Sequence, residues 1–202
     1  KGLTLRNRIM STSHASGLGD ENHMPGEAYQ RYHLEKARGG LALTMFGGSS
    51  YVSEDSLWAS GQLNISTDLI IPHLQQFSES IHAEGAAIMI QITHLGRRAE
   101  SNTQNWLPAI APSSVREIGH RAIPREMDQQ DIQRVVKVMG EAAYRAKEGG
   151  LDGLETMAHG HLIGQFLSPA TNKRSDEYGG NLENRCRFGL MVHKEIRQQV
   201  GD

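Results

Sequence analysis

The chain has 202 residues, of which 38% are hydrophobic, and a formal net charge of −2 at pH 7. This length and composition can bury a core in one globular domain, although a complete eight-stranded α/β barrel typically takes about 250 residues. The small net charge, with no block of lysine and arginine, argues against nucleic acid or an anionic membrane surface as the partner and favours a small molecule.

The hydrophobic runs and the single cysteine place further limits on the class of protein. No apolar run approaches the ~20 residues that a membrane-spanning helix needs. With Cys186 as its one cysteine, the chain has no internal disulfide and no cysteine-based zinc site. These features predict a cytoplasmic protein that does not enter the membrane, and they leave homo-oligomerisation open.

The N-terminal part of the chain predicts a strand, a helix and a second strand. Ile9–Ser13 is a short strand candidate. Glu27–Arg38 has helical spacing and ends at a glycine pair, Gly39-Gly40. The apolar run Leu41–Phe46 predicts a buried strand, and its exit through Gly47 would let a flat group approach the backbone.

The rest of the chain repeats this order of helix, glycine and buried strand. The further predicted elements are a helix over Asp68–Glu84, a strand over Ala86–Ile92, a helix capped by Asp128 with an apolar face from Ile132 to Ala146, a strand over Leu151–Met157, and a helix over Glu183–Val200 capped by Asn181. Pro72 falls within the first turn of its helix, where proline is tolerated.

Four short strands that alternate with helices predict a parallel α/β fold. Both a doubly wound sheet and a closed barrel fit this alternation. The sequence has neither G-x-G-x-x-G after a strand nor G-x-x-x-x-G-K-[ST], the nucleotide signatures that favour a doubly wound sheet. Polar residues follow each strand instead, as at the active face of a (β/α)8 TIM barrel. We therefore expect residues 1–202 to hold about the first four βα units of such a barrel, in one partial domain truncated at both ends.

His159 and His161 open a long polar loop after the fourth strand and are the first candidates for chemistry. Alternate residues of an extended segment point the same way, so both side chains would face one pocket. Imidazole titrates near neutral pH and can hold an anionic group or handle a proton. A His-x-His pair at a barrel strand end also begins the zinc site of metal-dependent hydrolases; this is an alternative, although no suitable further ligands are recognisable.

Several stretches of the sequence carry longer motifs. They are Asn7-Arg8-Ile9, QITHLGR at Gln91–Arg97, RE…HR…P at Arg116–Pro124, QFLSPATNKRSDEYGGNLENRCRF at Gln165–Phe188, MFGGSSYVSEDS at Met45–Ser56 and AHGHLIGQF at Ala158–Phe166. Together they resemble the N-terminal half of the flavin-binding barrel of the Old Yellow Enzyme family. The last two stretches are most similar to its amine-oxidising branch, the N-methylproline demethylase and trimethylamine or histamine dehydrogenase-like proteins.

The resemblance implies FMN across the carboxyl ends of the strands. Ser13, His14 and Ala15 would line the flavin after the first strand, and Gly47 would lie against its ring after the second. Gln91 would bond the pyrimidine edge, because a primary amide offers both a donor and an acceptor. In trimethylamine-type relatives a cysteine bonds to the flavin, but Ala15 stands at the matching position, so the FMN would be non-covalent.

The resemblance also implies an oxidoreductase, and we expect it to demethylate a small N-methylated amine by hydride transfer to FMN. His161 would position the substrate and His159 would assist. An NAD(P)H-dependent ene-reductase, or an enzyme like 2,4-dienoyl-CoA reductase, is the alternative. The family's ene-reductases carry a histidine followed three places later by His or Asn, and this pair is not reproduced, since Thr156 or Met157 stands at its first position.

Other polar side chains near these motifs are interpreted as scaffold. His94, Arg97 and Arg98 would brace the loop behind Gln91, and histidines on predicted helices, such as His33, would be solvated or packing residues. The family's phosphate-binding loops would lie beyond residue 202. The resemblance leaves open a 4Fe–4S cluster and an NAD(P)H or FAD site in that later part.

Overall fold

The computed structural model describes residues 2–58, 61–100, 106–119, 121 and 123–201. In chain order its elements are β1 (Met10–Ser11), α1 (Glu27–Arg38), β2 (Leu43–Tyr51), α2 (Ile70–Ala83), β3 (Ala87–Thr93), β4 (Ile110–Ala111), β5 (Arg125–Glu126), α3 (Gln129–Glu148), β6 (Gly153–Thr156), α4 (Leu162–Leu167) and α5 (Leu182–Val200). Two 3₁₀ turns, Glu54–Ser56 and Gly96–Arg98, follow β2 and β3. Within the described ranges, none of the helices combines the length and the hydropathy that a membrane span requires.

One parallel sheet with the strand order β1-β2-β3-β6 organises the fold. Leu43 pairs with Met10 on one side and with Ala87 on the other, and Met89 pairs with Gly153. Because parallel strands end at the same edge of a sheet, the loops after these four strands converge there. The arrangement confirms the predicted alternation of four strands with helices.

The two faces of β3 have different roles. Ile88, Ile90 and Ile92 are 0% exposed and belong to one buried cluster with the apolar faces of α2 and α3. Successive strand residues point to opposite faces, so Gln91 and Thr93 point away from these helices. The alternation that buries the isoleucines against the helices therefore also turns the polar side chains at the end of β3 toward the inner face of the sheet.

β2 is longer than the sequence predicts. It continues past Phe46 to Tyr51, through the glycines that the sequence predicts as its exit. Gly47 has a φ of 82°, and the register with β3 shifts between Phe46 and Ser50. This is a bulge, in which a glycine lets the strand bend before its pairing resumes. β1, by contrast, pairs over Met10–Ser11 only, which is shorter than predicted.

The four long helices begin and end close to their predicted positions. Asp128 caps α3 in a reciprocal capping box with Asp131, and Asn181 caps α5 by accepting from the N–H of Asn184. α2 begins at Ile70 rather than at Asp68, and Pro72 lies in its first turn. These boundaries follow from local signals, the caps and the apolar period, and they are confirmed.

The stretch between β6 and α5 is more ordered than the predicted loop. Leu162–Leu167 forms the short helix α4, and Phe166 stacks on Phe188 of α5 with ring centroids 4.3 Å apart. The Asn172 amide donates to the carbonyls of Phe166 and Tyr178, each over 2.8 Å. Packing and hydrogen bonds thus fix the segment that directly follows His161.

Candidate active site

A cleft with a volume of about 360 Å³ lies at the edge of the sheet where the parallel strands end. Four side chains that the sequence proposes for the site line it, namely Ser13, Ala15, Gln91 and His161. They come from the loop after β1, from β3 and from the loop after β6. Gly48 of β2 also lines the cleft, so all four strands of the sheet contribute to it.

The loop after β1 packs directly on β2. A Cβ at Gly48 would lie 2.5 Å from the backbone nitrogen of His14 and 2.6 Å from Oγ of Ser13, so only glycine fits there. The Ser13 hydroxyl donates to the carbonyl oxygen of Phe46 over 3.0 Å. These contacts hold Ser13 beside β2 and form one wall of the cleft.

His14 and Gly47 are adjacent to the cleft but do not line it. The His14 ring turns toward α1, where its Nε2 lies 3.0 Å from the Tyr32 hydroxyl. Gly47 is buried, and its N–H donates to the Tyr29 hydroxyl over 2.9 Å. Gly48, the next residue in the bulge of β2, lines the cleft. Contacts of His14 and Gly47 with FMN stay predictions.

Gln91 is 8% exposed and lines the cleft from β3. Its Nε2 donates over 2.5 Å to Oε1 of Glu155, its neighbour in register on β6. This bond fixes the direction of the amide and leaves the Oε1 acceptor and one N–H donor of Gln91 for a ligand. The pyrimidine edge of an isoalloxazine needs a donor and an acceptor together, so the groups in the cleft fit FMN.

His161 is 8% exposed and reaches the cleft from the loop after β6. Its Nδ1 lies 2.7 Å from Oγ1 of Thr93, which is fully buried at the end of β3. Burial lowers the pKa of His161 to about 4, and the positive charge of Arg98 contributes to the shift. The imidazole in the cleft is therefore neutral at physiological pH.

Of the two predicted histidines, only His161 reaches the cleft. The sequence predicts an extended segment in which His159 and His161 face the same way, and that premise is wrong. Gly160 has a φ of 72° and turns the chain between them, which leaves His159 exposed while His161 is buried. A role of His159 in the site stays a prediction.

The predicted scaffold role holds for His94 and Arg97. His94 Nε2 lies 3.2 Å from Oδ1 of Asp55, and the Gly96 N–H donates to His94 Nδ1 over 3.1 Å. Arg97 donates from Nη1 to the carbonyl of Arg116 over 3.2 Å. Both side chains therefore hold the loop after β3 in place, as the sequence predicts.

Asp55, in the turn after β2, is the residue that holds His94 in place. Burial alone would raise the pKa of its carboxyl, but hydrogen bonds from His94, Arg134 and Ser53 hold it well below its usual range. Arg134 donates to Asp55 from α3, over 2.5 Å from its Nη2. A buried, charged carboxylate thus ties α3 to the two turns that follow β2 and β3.

Arg98 differs from its neighbours, because it lines the cleft instead of bracing the loop. It ends the 3₁₀ turn after β3, and its Nη1 lies 3.2 Å from the position of a Cβ on Gly160. The sequence predicts a scaffold role for Arg98 as well as for Arg97. Arg97 and Arg98 are consecutive residues of one turn, and consecutive side chains in a turn point in different directions. The sequence could therefore have indicated that only one of the two arginines braces the loop after β3.

Among the described residues, metal-ligating side chains do not gather around His161. Across the ranges that the structure describes, no group of three or more His, Cys, Asp and Glu side chains is placed to hold a metal ion. The alternative of a metal-dependent hydrolase therefore has no ligand set in this part of the chain.

Comparison with known proteins agrees with this geometry. The sequence model of the NADH:flavin oxidoreductase / NADH oxidase family matches residues 1–202. The chain is 59% identical over 202 residues to the multifunctional alkene reductase/demethylase OYE of Caballeronia cordobensis. It is 49% identical over 202 residues to a probable N-methylproline demethylase of Rhizobium meliloti (strain 1021). In both cases the match covers 100% of this chain and 30% of the relative.

Solved structures show the same fold. Morphinone reductase in complex with tetrahydroNAD superposes with a TM-score of 0.91 at 28% identity, over 99% of this chain and 59% of that one. The Old Yellow Enzyme homologue from Zymomonas mobilis gives a TM-score of 0.90 at 27% identity, over 99% of this chain and 58% of that one. The predicted fold, part of a TIM barrel with a parallel sheet, is confirmed. The chain belongs to the NADH:flavin oxidoreductase / NADH oxidase family, the Old Yellow Enzyme family.

Proposed function

We propose that this chain forms the flavin-facing and substrate-facing half of an FMN-dependent oxidoreductase that demethylates a small N-methylated amine. The chain spans about 30% of the length of its relatives, and two of these are named as demethylases. The observation that carries the proposal is a buried, neutral His161 in the same cleft as Gln91. A hydrogen-bond acceptor for the amine and the amide that fits a flavin therefore line the same cleft.

Ser13, Gly48 and Gln91 are the residues of this chain that would hold FMN. Gly48 presents no side chain to the ring, and Gln91 offers one donor and one acceptor to its pyrimidine edge. FMN, when bound, supplies the acceptor for a hydride from a carbon next to nitrogen. Ala15 lines the cleft without a nucleophile, so no covalent bond to the flavin forms there.

The amine must be unprotonated to react, since its carbon releases a hydride only when the nitrogen lone pair is free to form an iminium ion. A protonated imidazole beside the amine would oppose this, whereas a neutral one can accept a hydrogen bond from the amine N–H and leave the lone pair of the nitrogen free. If Nδ1 of His161 donates to Oγ1 of Thr93, 2.7 Å away, the ring presents Nε2 as the acceptor. Water then adds to the iminium ion, and formaldehyde and the demethylated amine leave.

Reduction of an alkene is the second candidate, because the Caballeronia cordobensis relative is named for both activities. An ene-reductase needs donors that polarise the carbonyl of its substrate. Of the two positions where the family's first histidine would stand, Met157 lines the cleft with a thioether, and Thr156 Oγ1 lies 3.0 Å from Nε2 of His193 on α5. The missing imidazole favours amine oxidation over alkene reduction.

Anaerobic stopped-flow mixing tests the proposal. The complete natural protein, loaded with FMN, is mixed with N-methylated amines, and the flavin absorbance is followed together with formaldehyde release. We expect an amine to bleach the flavin and to give one formaldehyde for each flavin reduced. If no amine reduces the flavin, but NAD(P)H does and an enone or dienoyl thioester reoxidises it, the demethylase proposal is wrong and the ene-reductase takes its place.

The mode of flavin attachment is tested separately by acid precipitation of the FMN-loaded protein. With Ala15 in the cleft and Cys186 on α5, we expect all of the yellow colour in the supernatant. Colour that stays with the protein pellet would show a covalent flavin. A protein that binds stoichiometric zinc and no flavin would instead support the hydrolase alternative.

A further inference from the structure

We propose that Gln165 is a positioning residue, whose buried amide holds two loops of the cleft at the separation that the reaction needs. The loop after β3 (residues 94–98) carries Arg98, and the loop after β6 (residues 157–161) carries His161. Gln165 itself lies on α4, is 2% exposed and does not line the cleft. Its effect on amine oxidation rests on the function proposed above, whereas its hold on the two loops can be tested without a substrate.

The hydrogen bonds of the Gln165 amide are the first observation. Its Nε2 donates to the carbonyl of Leu95 over 2.9 Å and to the carbonyl of Gly160 over 3.0 Å. Its Oε1 accepts from the N–H of Arg97 over 3.0 Å. Both N–H donors and the oxygen of one side chain are thus used, and together they join the loop after β3 to the loop after β6.

Each backbone partner of the amide lies at or beside a residue of the cleft wall. Leu95 lines the cleft itself. Arg97 directly precedes Arg98, and Gly160 directly precedes His161. Because a peptide group is planar and rigid, a hydrogen bond to the backbone of one residue also limits the position of the next. The amide therefore fixes where Arg98 and His161 enter the cleft.

The amide of Gln165 fills a space that Gly96 leaves open. A Cβ at Gly96 would collide with Oε1 of Gln165, and the φ of 61° at Gly96 also favours glycine. The end of the side chain is thus confined by the turn after β3, and its backbone is confined by α4. This leaves the amide one position between the loops.

A backbone hydrogen bond joins the same two loops at another point. The N–H of Leu162, the first residue of α4, donates to the carbonyl of His94 over 3.0 Å. This bond does not involve the Gln165 side chain. Loss of the amide should therefore leave the loops connected and folded, but should free their separation to change.

The separation matters because the two groups proposed for the reaction are held in different ways. Gln91 lies within β3 and is fixed by the sheet, whereas His161 lies on a loop. Thr93 holds one nitrogen of the His161 ring, but the backbone of His161 follows the position of its loop. Since a displacement of about 1 Å can lower a rate about 10²-fold, the loop must be held closely.

A second buried amide provides a matched control. Asn172 is 4% exposed and also makes three hydrogen bonds, as donor to the carbonyls of Phe166 and Tyr178 and as acceptor from the N–H of Arg174. These three partners do not line the cleft, and all lie between β6 and α5. Loss of either amide removes three hydrogen bonds, but only loss of the Gln165 amide disconnects residues of the cleft wall.

The first test measures the position of His161 without a substrate. Gln165→Met and Asn172→Leu replace each amide by an apolar side chain of similar size. Both are made in the complete natural protein loaded with FMN, at a temperature at which circular dichroism shows them folded. With ¹³C-labelled histidine rings at pH 7, we expect Gln165→Met to shift or broaden the signal of His161, and Asn172→Leu to leave it in place.

The second test measures flavin reduction by sarcosine and by trimethylamine over a range of concentrations. Gln165→Met should lower the limiting rate about 10- to 100-fold and leave the half-saturating concentration within a few-fold, because the reacting geometry changes more than binding does. Asn172→Leu should change neither value. Gln165→Asn keeps the amide on a side chain one methylene shorter, so its limiting rate should lie between those of the natural protein and Gln165→Met. If Gln165→Met does not fold, Gln165→Asn carries both tests.

The outcomes separate this proposal from the proposed function. If neither amine reduces the flavin of the natural protein, the proposed function fails, while the His161 signal still decides whether Gln165 holds the loop. An unchanged His161 signal and limiting rate in a folded Gln165 variant, or equal changes in Asn172→Leu, would show that Gln165 only stabilises the fold. Failure of both Gln165 variants to fold, with Asn172→Leu folded, would also overturn the positioning role.

Discussion

Two histidines of this chain have almost the same surroundings and different positions. His33 on α1 is 0% exposed, and His161 is 8% exposed. In each, Nδ1 lies 2.7 Å from Oγ1 of a fully buried threonine, Thr44 for His33 and Thr93 for His161. Burial is the first cause of a lowered pKa in both, to about 3 for His33 and about 4 for His161.

The two rings differ in what surrounds them on the side away from the threonine. The His33 ring packs among aromatic side chains and stacks on Tyr29 with centroids 5.3 Å apart, and its Nε2 is buried without a partner among the described residues. The His161 ring lines the cleft with Gln91 and Arg98. A neutral buried imidazole is thus not in itself a sign of function, and access of a ligand to its second nitrogen separates the site from the core.

The largest expected effect is on the rate of flavin reduction by an amine. His161→Ala should lower it roughly 10²–10⁴-fold, the range of a positioned acid–base group, because no acceptor remains beside the amine. The flavin spectrum should not change. The rate is measured by anaerobic stopped-flow in the FMN-loaded complete protein.

His33→Phe is the matched control for that rate. It removes an equally neutral imidazole from the core and keeps an aromatic ring against Tyr29. We expect its rate to stay within a few-fold of the natural protein. An equal loss of rate in both variants would show that any buried histidine matters, and the comparison between core and cleft would fail.

The free energy of unfolding should depend more on His33 than on His161, the reverse of the order expected for the rate. His33→Ala empties a site between Tyr29, Phe46 and Phe77 and should lower the free energy of unfolding by about 2–5 kcal/mol. His161→Ala removes a side chain that borders the open cleft and one hydrogen bond, so we expect it to lower the free energy of unfolding by about 1 kcal/mol. Urea unfolding followed by circular dichroism compares the two, and a greater loss for His161→Ala would contradict the assignment of His33 to the core.

The two threonines sharpen the comparison further. Thr93→Val leaves Nδ1 of His161 without its partner and releases the ring, so amine oxidation should fall about tenfold, equivalent to about 1.4 kcal/mol. Thr44→Val breaks the same bond to His33 and should leave the rate unchanged while lowering stability by about 1–3 kcal/mol. Thr93→Ser retains the hydroxyl and should restore most of the rate.

The smallest effect is the pH dependence of stability. Both histidines have folded pKa values below the unfolded value of about 6.5, so their contribution is present above pH 6.5 and is lost as the pH falls toward 4 and 3. Each should remove about 1 kcal/mol of unfolding free energy between pH 6.5 and 5.5. His33→Phe should remove one of these two contributions, and an unchanged acid slope in urea titrations would contradict a neutral buried His33.

The sequence predicts most of the fold because its signals are local. Each of these signals lies within one element, as with the caps at Asp128 and Asn181 and the apolar period of α3. The structure confirms them. The bulge that carries β2 to Tyr51 depends on its register with β3, and α4 depends on the stacking of Phe166 on Phe188. Neither dependence is visible along one stretch of sequence.

The site is predicted less completely, for a related reason. Gln91 lies near the end of one predicted parallel strand and His161 follows the next one, so their meeting in one cleft can be expected from the direction of the strands. The opposite exposure of His159 and His161 depends on the turn at Gly160, and the position of Arg98 depends on the turn at Gly96. Their φ values of 72° and 61° change the direction of the chain at each glycine. A turn of this kind reverses an expectation that assumes an extended chain.

One measurement tests the central claim most directly, and it uses ¹³C-labelled histidine rings in the FMN-loaded complete protein. At pH 6 both His33 and His161 should give the ring shifts of neutral imidazole, and each is assigned by its His→Phe variant. Addition of an unreactive N-methylated ligand such as glycine betaine should shift the signal of His161 and leave that of His33 in place. A protonated His161 at pH 6, or a His161 signal that no ligand moves, would contradict the account of a neutral histidine that meets the substrate.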